Sequence, residues 1–302
     1  MVMCRIYPTP EGSASASPSR TLRRMSGEAP HEIVVDHLAK SFGGKVVLRD
    51  VSLSVDRGEL VAIVGGSGCG KTVLLKHITA HFRPDSGRVL VADHESDPDA
   101  DGAAPLVDLA ELDESGLDRL RKHWAVVFQR NALLTGTVLQ NLSVEPREVK
   151  GMRDEEIRPL AIEALRDVGL DPDLVLDRDR DALSGGMAKR VAVARALVMD
   201  PVLVLYDEPT SGLDPEMCRQ IHELIRATHE SQPKLAKERD GAVRTSVVVT
   251  HDTELLRRLK PRIVMLAEGG VLFDGDYESF LANTDPHIEP YLEQMHELHC
   301  RG

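Results

Sequence analysis

A glycine-rich octapeptide is the segment of this sequence with the clearest chemical potential. It matches the pattern G-x-x-x-x-G-K-[ST] at every fixed position. Glycines let the backbone curl so that successive N–H groups point at phosphate oxygens, and the start of a following helix adds a favourable dipole. The terminal lysine can reach outer phosphates, and the threonine can offer its hydroxyl to Mg²⁺. The residues of this predicted phosphate loop are Gly65, Gly66, Ser67, Gly68, Cys69, Gly70, Lys71 and Thr72.

Two adjacent acids form the second chemical feature. Asp207 and Glu208 directly follow the apolar residues 202–206. Carboxylates at the end of a buried strand are costly unless they meet a cation or water. We expect Asp207 to hold Mg²⁺ through its water shell and Glu208 to act as a general base toward the attacking water. Together with the phosphate loop, the acids predict hydrolysis of a nucleotide.

A third motif, Leu183-Ser184-Gly185-Gly186-Met187, opens a predicted helix shortly before the acidic strand. Here the sequence resembles the ABC-type ATPases, whose signature is LSGG-x at this location. The resemblance covers residues 31 to about 275, with the expected motifs in order. It implies a P-loop ABC ATPase domain of α/β class, with a mostly parallel core sheet, an antiparallel β subdomain and an α-helical subdomain. The implied ligands are ATP and Mg²⁺.

The resemblance also implies roles for single residues at matching positions. Phe42 stands where the family carries an adenine-stacking aromatic residue. Gln129 matches the Q-loop glutamine, expected at the metal and in catalysis, and His251 matches the switch histidine that contacts the γ-phosphate. Lys71 and Glu208 complete the expected catalytic set. In the family, two subunits sandwich two ATP molecules head to tail, so residues of the partner subunit act in trans; here these are Ser184, Gly185, Gly186 and Asp214.

Transport is one of several functions that such ATPases serve, and the sequence favours it over the others. A single phosphate loop and a single signature differ from the tandem translation factors. No long heptad insert or C-x-x-C insertion resembles the chromosome-organising or repair types. The formal charge of −12 also disfavours nucleic acid, which needs a basic face. The expected partners are therefore separate integral-membrane permease subunits, with this chain peripheral on the cytoplasmic side of the inner membrane.

A finer resemblance links the chain to the Mla/Mce-type lipid-transport ATPases. Met187 after LSGG, the segment 128–134 and the tail segment 282–292 carry it. It implies phospholipid or lipid transport across the envelope, with a probable MCE-domain lipid-binding protein and a possible STAS-type subunit. One alternative is an ATPase subunit for another substrate, such as an ion, peptide or drug. A second alternative is a soluble ABC ATPase with a non-transport interaction role.

The chemical residues require a scaffold of strands and helices in alternation. Apolar runs at 60–64, 202–206 and 246–250 are typical of strands buried on both faces, with helices expected at 72–81, 186–198 and 215–229. Strands alternating with helices predict a mostly parallel sheet. We expect a disordered tail at 1–30, an ATPase domain at 31–280 with a helical subdomain near 130–182, and an extension at 281–302.

Composition sets the outer limits of these predictions. A chain of 302 residues with 42% apolar content can build a real core. No apolar run approaches the roughly 18 residues of a membrane span. The four cysteines are scattered, which favours a reducing cytosol. Within the acidic loop 93–105, we interpret residues 97–102, followed by Asp108, as a solvated loop rather than a calcium site. We interpret the connection 230–245 as a surface loop rather than a subunit contact, and the His296-x-x-His299-Cys300 tail as a tail rather than a zinc site.

Overall fold

The computed structural model of the protein describes residues 30–98, 103–129, 133–233 and 244–293. The predicted tail, the centre of the acidic loop, most of the 230–245 connection and the His296–Cys300 region lie outside these ranges. Across the described ranges, no helix combines the length and the apolar composition that crossing a bilayer requires.

A four-stranded antiparallel sheet forms one layer of the molecule. Its strands pair in the order β2-β1-β4-β5. In β2, burial alternates from Val51 to Val55, so that one face packs on the interior, whereas β1 is buried without interruption from Glu32 to Val35. The strands are β1 (His31–Phe42), β2 (Lys45–Asp56), β4 (Ser86–Ala92) and β5 (Leu106–Asp108).

The second sheet has six strands in the order β10-β9-β3-β8-β7-β6. Neighbours from β9 to β6 are parallel, and β10 is antiparallel to β9. The central strands are buried almost throughout, as their continuous apolar runs predict. The strands are β3 (Leu60–Val64), β6 (Trp124–Val127), β7 (Leu203–Asp207), β8 (Thr245–Val249), β9 (Arg262–Ala267) and β10 (Gly270–Gly275).

Nine α-helices occur in the described ranges. Three of them, α3, α4 and α6, pack on one another beside the large sheet. The helices are α1 (Lys71–Ile78), α2 (Glu114–Arg121), α3 (Val138–Lys150), α4 (Asp154–Asp167), α5 (Pro172–Val175), α6 (Gly185–Leu197), α7 (Pro215–Glu230), α8 (Thr253–Leu259) and α9 (Tyr277–Leu281). Residues 289–293 are also helical. The predicted fold class, with its parallel core, antiparallel sheet and helical part, is confirmed.

Helix α1 ends at Ile78, before the predicted end at residue 81. Strand β2 continues without a break to Asp56, while β1 shifts register beside it. Strands β9 and β10 form a hairpin, with Glu268 and Gly269 both at positive φ. That pair of conformations suits the right-handed twist of the strands.

Asp93, at the start of the acidic loop 93–105, is buried. Asp93 is fully enclosed, and its Oδ2 accepts from Arg119 Nη2 at 2.7 Å and from Ser96 Oγ at 2.6 Å. Burial raises the pKa of this carboxyl, but the hydrogen bonds and Arg119 outweigh it, so that the net pKa lies below the ordinary value. Asp93 is thus fixed to α2 through Arg119.

A matched pair of leucines tests where the core lies. Leu142 on α3 is 0% exposed, and Leu174 on α5 is 59% exposed. We expect Leu142→Ala to lower the free energy of unfolding by about 2–5 kcal/mol because it opens a cavity. Leu174→Ala makes the same chemical change at the surface and should stay within about 0.5 kcal/mol of the parent. Urea unfolding followed by circular dichroism measures both, and equal losses would contradict the described packing.

Candidate functional site

Four parallel strands bring the predicted chemical residues to one edge of the large sheet. Ile63 of β3 and Asp207 of β7 both pair with Val249 of β8, so the three strands end at the same level. The chain leaves β3 into the phosphate loop, β7 into Glu208, and β8 into His251. Gln129 follows the neighbouring strand β6. Ligands of open α/β sheets bind at such carboxyl edges.

The phosphate loop is anchored at both ends and exposed in the middle. Gly65 and Gly70 are buried, whereas residues 66–68 are exposed. Gly65 has φ +145° and Gly70 has φ +107°, and a Cβ on Gly70 would come within 2.6 Å of Leu48 Cδ2. Because both positions need a backbone that side chains disfavour, they fix the turn from β3 into α1. The exposed middle leaves backbone N–H groups accessible to an anion at the α1 N-terminus.

Lys71 and Thr72 begin α1 beside this loop. Lys71 Nζ donates to the carbonyl oxygens of Gly65 at 2.8 Å and Gly66 at 3.2 Å. The lysine is therefore held over its own loop, where a phosphate group would compete for the same donors. Thr72 is exposed. Cys69 is a free, partly buried thiol. It packs against the buried apolar side chains shared by the antiparallel sheet, α1 and one face of the large sheet.

Asp207 carries an oxygen that its surroundings leave without a hydrogen bond. Its Oδ1 is buried and has no hydrogen-bond partner in the described ranges. Burial raises the pKa of the carboxyl above its ordinary value and Glu208 adds to the rise, against the attraction of Lys76, Lys71 and Lys189. A carboxylate in this setting is stabilised by a further cation. The donor chemistry at this strand end therefore fits Mg²⁺, which prefers oxygen ligands.

Glu208 and His251 face each other across adjacent strand ends. His251 Nδ1 lies 2.7 Å from Glu208 Oε2, within ion-pair distance although the direction is not that of a hydrogen bond. The glutamate side chain is 13% exposed and the histidine side chain 66% exposed. The Glu208 backbone takes φ +48° while its N–H donates to Val249 O. The positive φ of Glu208 changes the direction of the chain directly after β7, at the carboxyl edge of the sheet.

A buried lysine that the sequence analysis did not select lies behind Gln129. Lys189 on α6 is 1% exposed, and its Nζ donates to Phe128 O at 3.3 Å and Gln129 O at 3.2 Å. Burial lowers the pKa of this ammonium group, and the attraction of Asp207 opposes that effect. Gln129 Nε2 donates to Ser211 Oγ at 3.1 Å. Lys189 thus joins the signature helix to the loop after β6.

The signature residues lie together with the start of α7. Ser184 caps α6 by accepting from Met187 N, and Asp214 caps α7 by accepting from Met217 N at 2.9 Å. The Met217 side chain lies over Gly186. Ser184 and Gly185 are exposed. Within the described residues, no hydrogen bond or ion pair joins this group to the phosphate loop of the same chain.

Phe42 ends β1 with a ring that is 42% exposed. Its ring centroid lies 5.3 Å from that of Phe82, and Lys40 Nζ lies 5.5 Å from it. The exposed part of Phe42 is accessible to a planar group.

A buried histidine on α7 was also missed by the sequence analysis. His222 is 1% exposed, and its Nε2 lies 2.8 Å from Asp252 Oδ2. Asp252 follows His251 directly and caps α8 by accepting from Glu254 N and Leu255 N. The pair fixes the segment that carries His251. Because the partners are separated by 30 residues, no local pattern marks it.

Comparisons with known proteins identify the relatives of this chain. The family model described as ABC transporter matches residues 48–211. The L-cystine transport system ATP-binding protein TcyN of Escherichia coli is 37% identical over 265 residues, which cover 87% of this chain and 98% of that protein. The histidine/lysine/arginine/ornithine transport ATP-binding protein HisP of Salmonella typhimurium is 33% identical, with 86% and 95% covered. The chloroplastic protein trigalactosyldiacylglycerol 3 of Arabidopsis thaliana is 34% identical, with 83% and 70% covered.

Solved structures share the same fold. The structure of cbiO1 from Clostridium perfringens, part of the ABC transporter complex cbiONQ, gives a TM-score of 0.68 at 28% identity, covering 84% of this chain and 92% of that one. A bacterial ABC transporter cassette solved as a dimer gives a TM-score of 0.65 at 31% identity, covering 81% and 98%.

The His222–Asp252 pair predicts a pH-dependent loss of stability on mutation. Burial raises the pKa of Asp252, but the hydrogen bond and charge of His222 and the amide of Leu255 outweigh it, leaving a net lowered pKa. A carboxyl whose pKa is lowered by folding stabilises the fold above its unfolded pKa and loses that contribution as the pH falls through its folded pKa. We expect His222→Leu to lower the free energy of unfolding at pH 7 by about 1–3 kcal/mol.

The control is His222→Gln, which keeps an N–H donor and should lose less. Urea unfolding from pH 7 to pH 3 measures both variants. The deficit of His222→Leu should shrink as the pH falls below the ordinary pKa of an unfolded aspartate and through the lowered pKa of folded Asp252. A deficit that is independent of pH would contradict the role of the ionised carboxylate.

Proposed function

This chain belongs to the ABC transporter family and is an ATP-binding, ATP-hydrolysing subunit of an ABC transporter; from that premise we propose that it powers import of an amino acid of the cystine or basic class. The observation that supports the substrate class is the 37% identity to the L-cystine transport ATPase over 98% of that protein. The transport protein for histidine, lysine, arginine and ornithine supports the same class. This proposal corresponds to the alternative of a substrate other than lipid.

The phosphate loop would bind the phosphates of ATP. Backbone N–H groups at 66–70 and the N-terminus of α1 supply donors, and Lys71 would exchange its two carbonyl partners for phosphate oxygens. Phe42 would stack on the adenine with the open part of its ring. The exposed centre and the buried ends of the loop support this assignment, since phosphate can approach without moving the anchors.

Thr72, Asp207 and Gln129 would hold Mg²⁺, and the unpartnered Asp207 Oδ1 is the observation that supports a cation there. When bound, the ion supplies neutralising charge to the phosphate oxygens. Asp207 would hold it through its water shell, while Thr72 would offer a hydroxyl and Gln129 an amide oxygen.

Glu208 would orient the attacking water and accept its proton as general base. Its low exposure limits competing solvent, and its position beside the phosphate loop follows from the shared strand level. His251, whose ring is mostly exposed beside Glu208, would contact the γ-phosphate. The His222–Asp252 pair would hold the His251 segment in place.

A head-to-tail homodimer would complete the site. Within the described residues, no hydrogen bond or ion pair joins Ser184, Gly185, Gly186 or Asp214 to the phosphate loop of their own chain. Ser184 and Gly185 are exposed at a helix N-terminus that favours an anion. Placed opposite the phosphate loop of a partner subunit, all four residues would close over its ATP. The related cassette solved as a dimer supports this arrangement. Separate permease subunits would lie in the membrane, with this chain peripheral on the cytoplasmic side.

Lipid transport remains a second candidate. The Arabidopsis relative, 34% identical over 260 residues, has a name that contains that of a galactolipid. The tail segment 282–292 that resembles the Mla/Mce-type ATPases supports the same candidate. The MCE-domain and STAS-type partners stay predictions, and the names of the relatives above do not support them.

Replacement of the proposed base gives the test of mechanism. Glu208→Gln removes the proton acceptor while keeping the size of the side chain, so ATP hydrolysis should fall at least about 100-fold. ATP binding should persist, because the phosphate loop is unchanged. Phosphate release and binding of a fluorescent ATP analogue measure the two properties. The control is Glu223→Gln on the exposed side of α7, which should behave as the parent. Near-normal turnover of Glu208→Gln would exclude it as the base.

The transported substrate is tested with the assembled complex. The tagged chain is purified from membranes of its source organism with its permease and reconstituted in proteoliposomes. We expect ATP-dependent uptake of labelled L-cystine, L-histidine or L-arginine, supplied with its binding protein, and no movement of labelled phospholipid. A Glu208→Gln complex is the control without turnover. Phospholipid movement without amino-acid uptake would establish the second candidate instead.

A further inference from the structure

Tyr291, in the C-terminal segment, contacts the phosphate loop. Gly65 N donates to the Tyr291 hydroxyl oxygen at 3.0 Å, across 226 residues of sequence. Gly65 is buried, and this hydroxyl is the hydrogen-bond partner of its amide within the described residues. An unpaired buried N–H is costly, so the tyrosine satisfies a donor that the loop itself leaves open.

The segment before Tyr291 is fixed to the body of the protein. Ile288 is 0% exposed and belongs to the hydrophobic core between the large sheet and helices α3, α4, α6 and α7. Tyr291 packs against the same core. Two side chains shape the turn that leads to Ile288: Asn283 Oδ1 accepts from Asp285 N at 2.8 Å, and Asp285 Oδ1 accepts from His287 N at 2.8 Å. The hydroxyl therefore comes to Gly65 from an anchored segment, with little freedom of its own.

Gly65 is also the residue that holds Lys71. Its carbonyl oxygen accepts from Lys71 Nζ at 2.8 Å, while its amide donates to Tyr291. A Cβ at this position would overlap Leu266 O and lie 2.6 Å from Cys69 Sγ, so the peptide has almost no room to shift. The orientation of Gly65 therefore determines the position of the Lys71 ammonium group before a phosphate binds.

The tyrosine also lies close enough to Glu208 to interact with it electrostatically. Burial raises the pKa of the Tyr291 hydroxyl, and the charge of Glu208 acts in the same direction. The hydroxyl is therefore protonated and neutral at physiological pH, and it can accept from Gly65 without adding negative charge beside the acids of the site.

We propose that Tyr291 is a positioning residue of the phosphate loop, acting through the Gly65 amide to hold Lys71 and the loop in the conformation that binds ATP. The C-terminal segment thereby contributes to nucleotide affinity without touching the nucleotide. The inference rests on the proposed role of the phosphate loop, and its test separates the two.

The test removes one oxygen atom. Tyr291→Phe keeps the packed ring and deletes the acceptor for Gly65. ATP affinity, measured with a fluorescent analogue in the Glu208→Gln background, should weaken about three- to tenfold, the range expected for one net hydrogen bond. In the parent background, KM for ATP should rise by the same factor while kcat stays within about twofold, because the base is untouched. Hydrogen–deuterium exchange of the peptide that spans Gly65 should become faster without nucleotide.

Tyr277→Phe is the matched control, because Tyr277 is a buried tyrosine on α9, 5% exposed, that lies next to Lys260 rather than the loop. It should leave ATP affinity and exchange near Gly65 unchanged. Lys71→Ala should abolish ATP binding; if it does not, the proposed phosphate site is wrong. If Lys71→Ala abolishes binding but Tyr291→Phe binds as the parent does, or Tyr277→Phe weakens binding equally, only the inference about Tyr291 is overturned.

Discussion

The parallel register of β3, β8 and β7 is the constraint on which the rest of the site depends. Because Ile63 and Asp207 pair with the same residue of β8, Val249, three chain segments leave the sheet at one level. The phosphate loop, the acid pair and His251 are thus neighbours although they are far apart in sequence. A shift of one residue would invert the faces of each strand and move the acids away from the loop. Such a shift would also disrupt the packing of these buried apolar strands. The packing of the core therefore fixes the geometry of the site.

Charge compensation is the second requirement at this edge. Asp207 and Glu208 lie next to each other in a partly buried place, and the cations of Lys71, Lys76 and Lys189 attract the Asp207 carboxylate. Lys189 is itself buried, yet it is tolerated because two backbone carbonyl oxygens accept from it. Two carboxylates and three ammonium groups therefore lie together where a metal and a phosphate would meet. A site of this kind favours a metal–nucleotide complex over either component alone, which is the form in which ATP is used.

The elements around this edge link it to other parts of the molecule. Lys189 connects it to the signature helix, His222 connects the His251 segment to α7, and Tyr291 connects the phosphate loop to the C-terminal segment. Two of these links lead to elements with a second role, because α6 and α7 carry the exposed residues proposed to face a partner subunit. Binding of nucleotide at the edge can therefore bias the arrangement of these elements, as expected of a two-state ATPase.

The family and the local chemistry were legible from sequence because their geometry is set within short segments. Each motif lies inside one short segment of the chain: the glycines between β3 and α1, the acids at the end of β7, and the signature at the start of α6. The backbone conformation of each segment requires particular residue types, which makes the motif recognisable. The alternation of elements likewise predicted the parallel sheet. The substrate class was harder: segments 128–134 and 282–292 predicted lipid transport, whereas relatives that match most of the chain favour amino acids.

The tertiary structure alone decided which distant side chains support the site. Lys189, His222 and Tyr291 find their partners across 60, 30 and 226 residues, and nothing near them in sequence marks the pairing. The burial of Asp93 against Arg119 is of the same kind, since an acidic run gives no sign of the helix that will cover it. Local conformational preference acts over a few residues, whereas these contacts arise from the packing of whole elements. The sequence by itself therefore determined the reactive groups, and the packed fold determined what holds them in place.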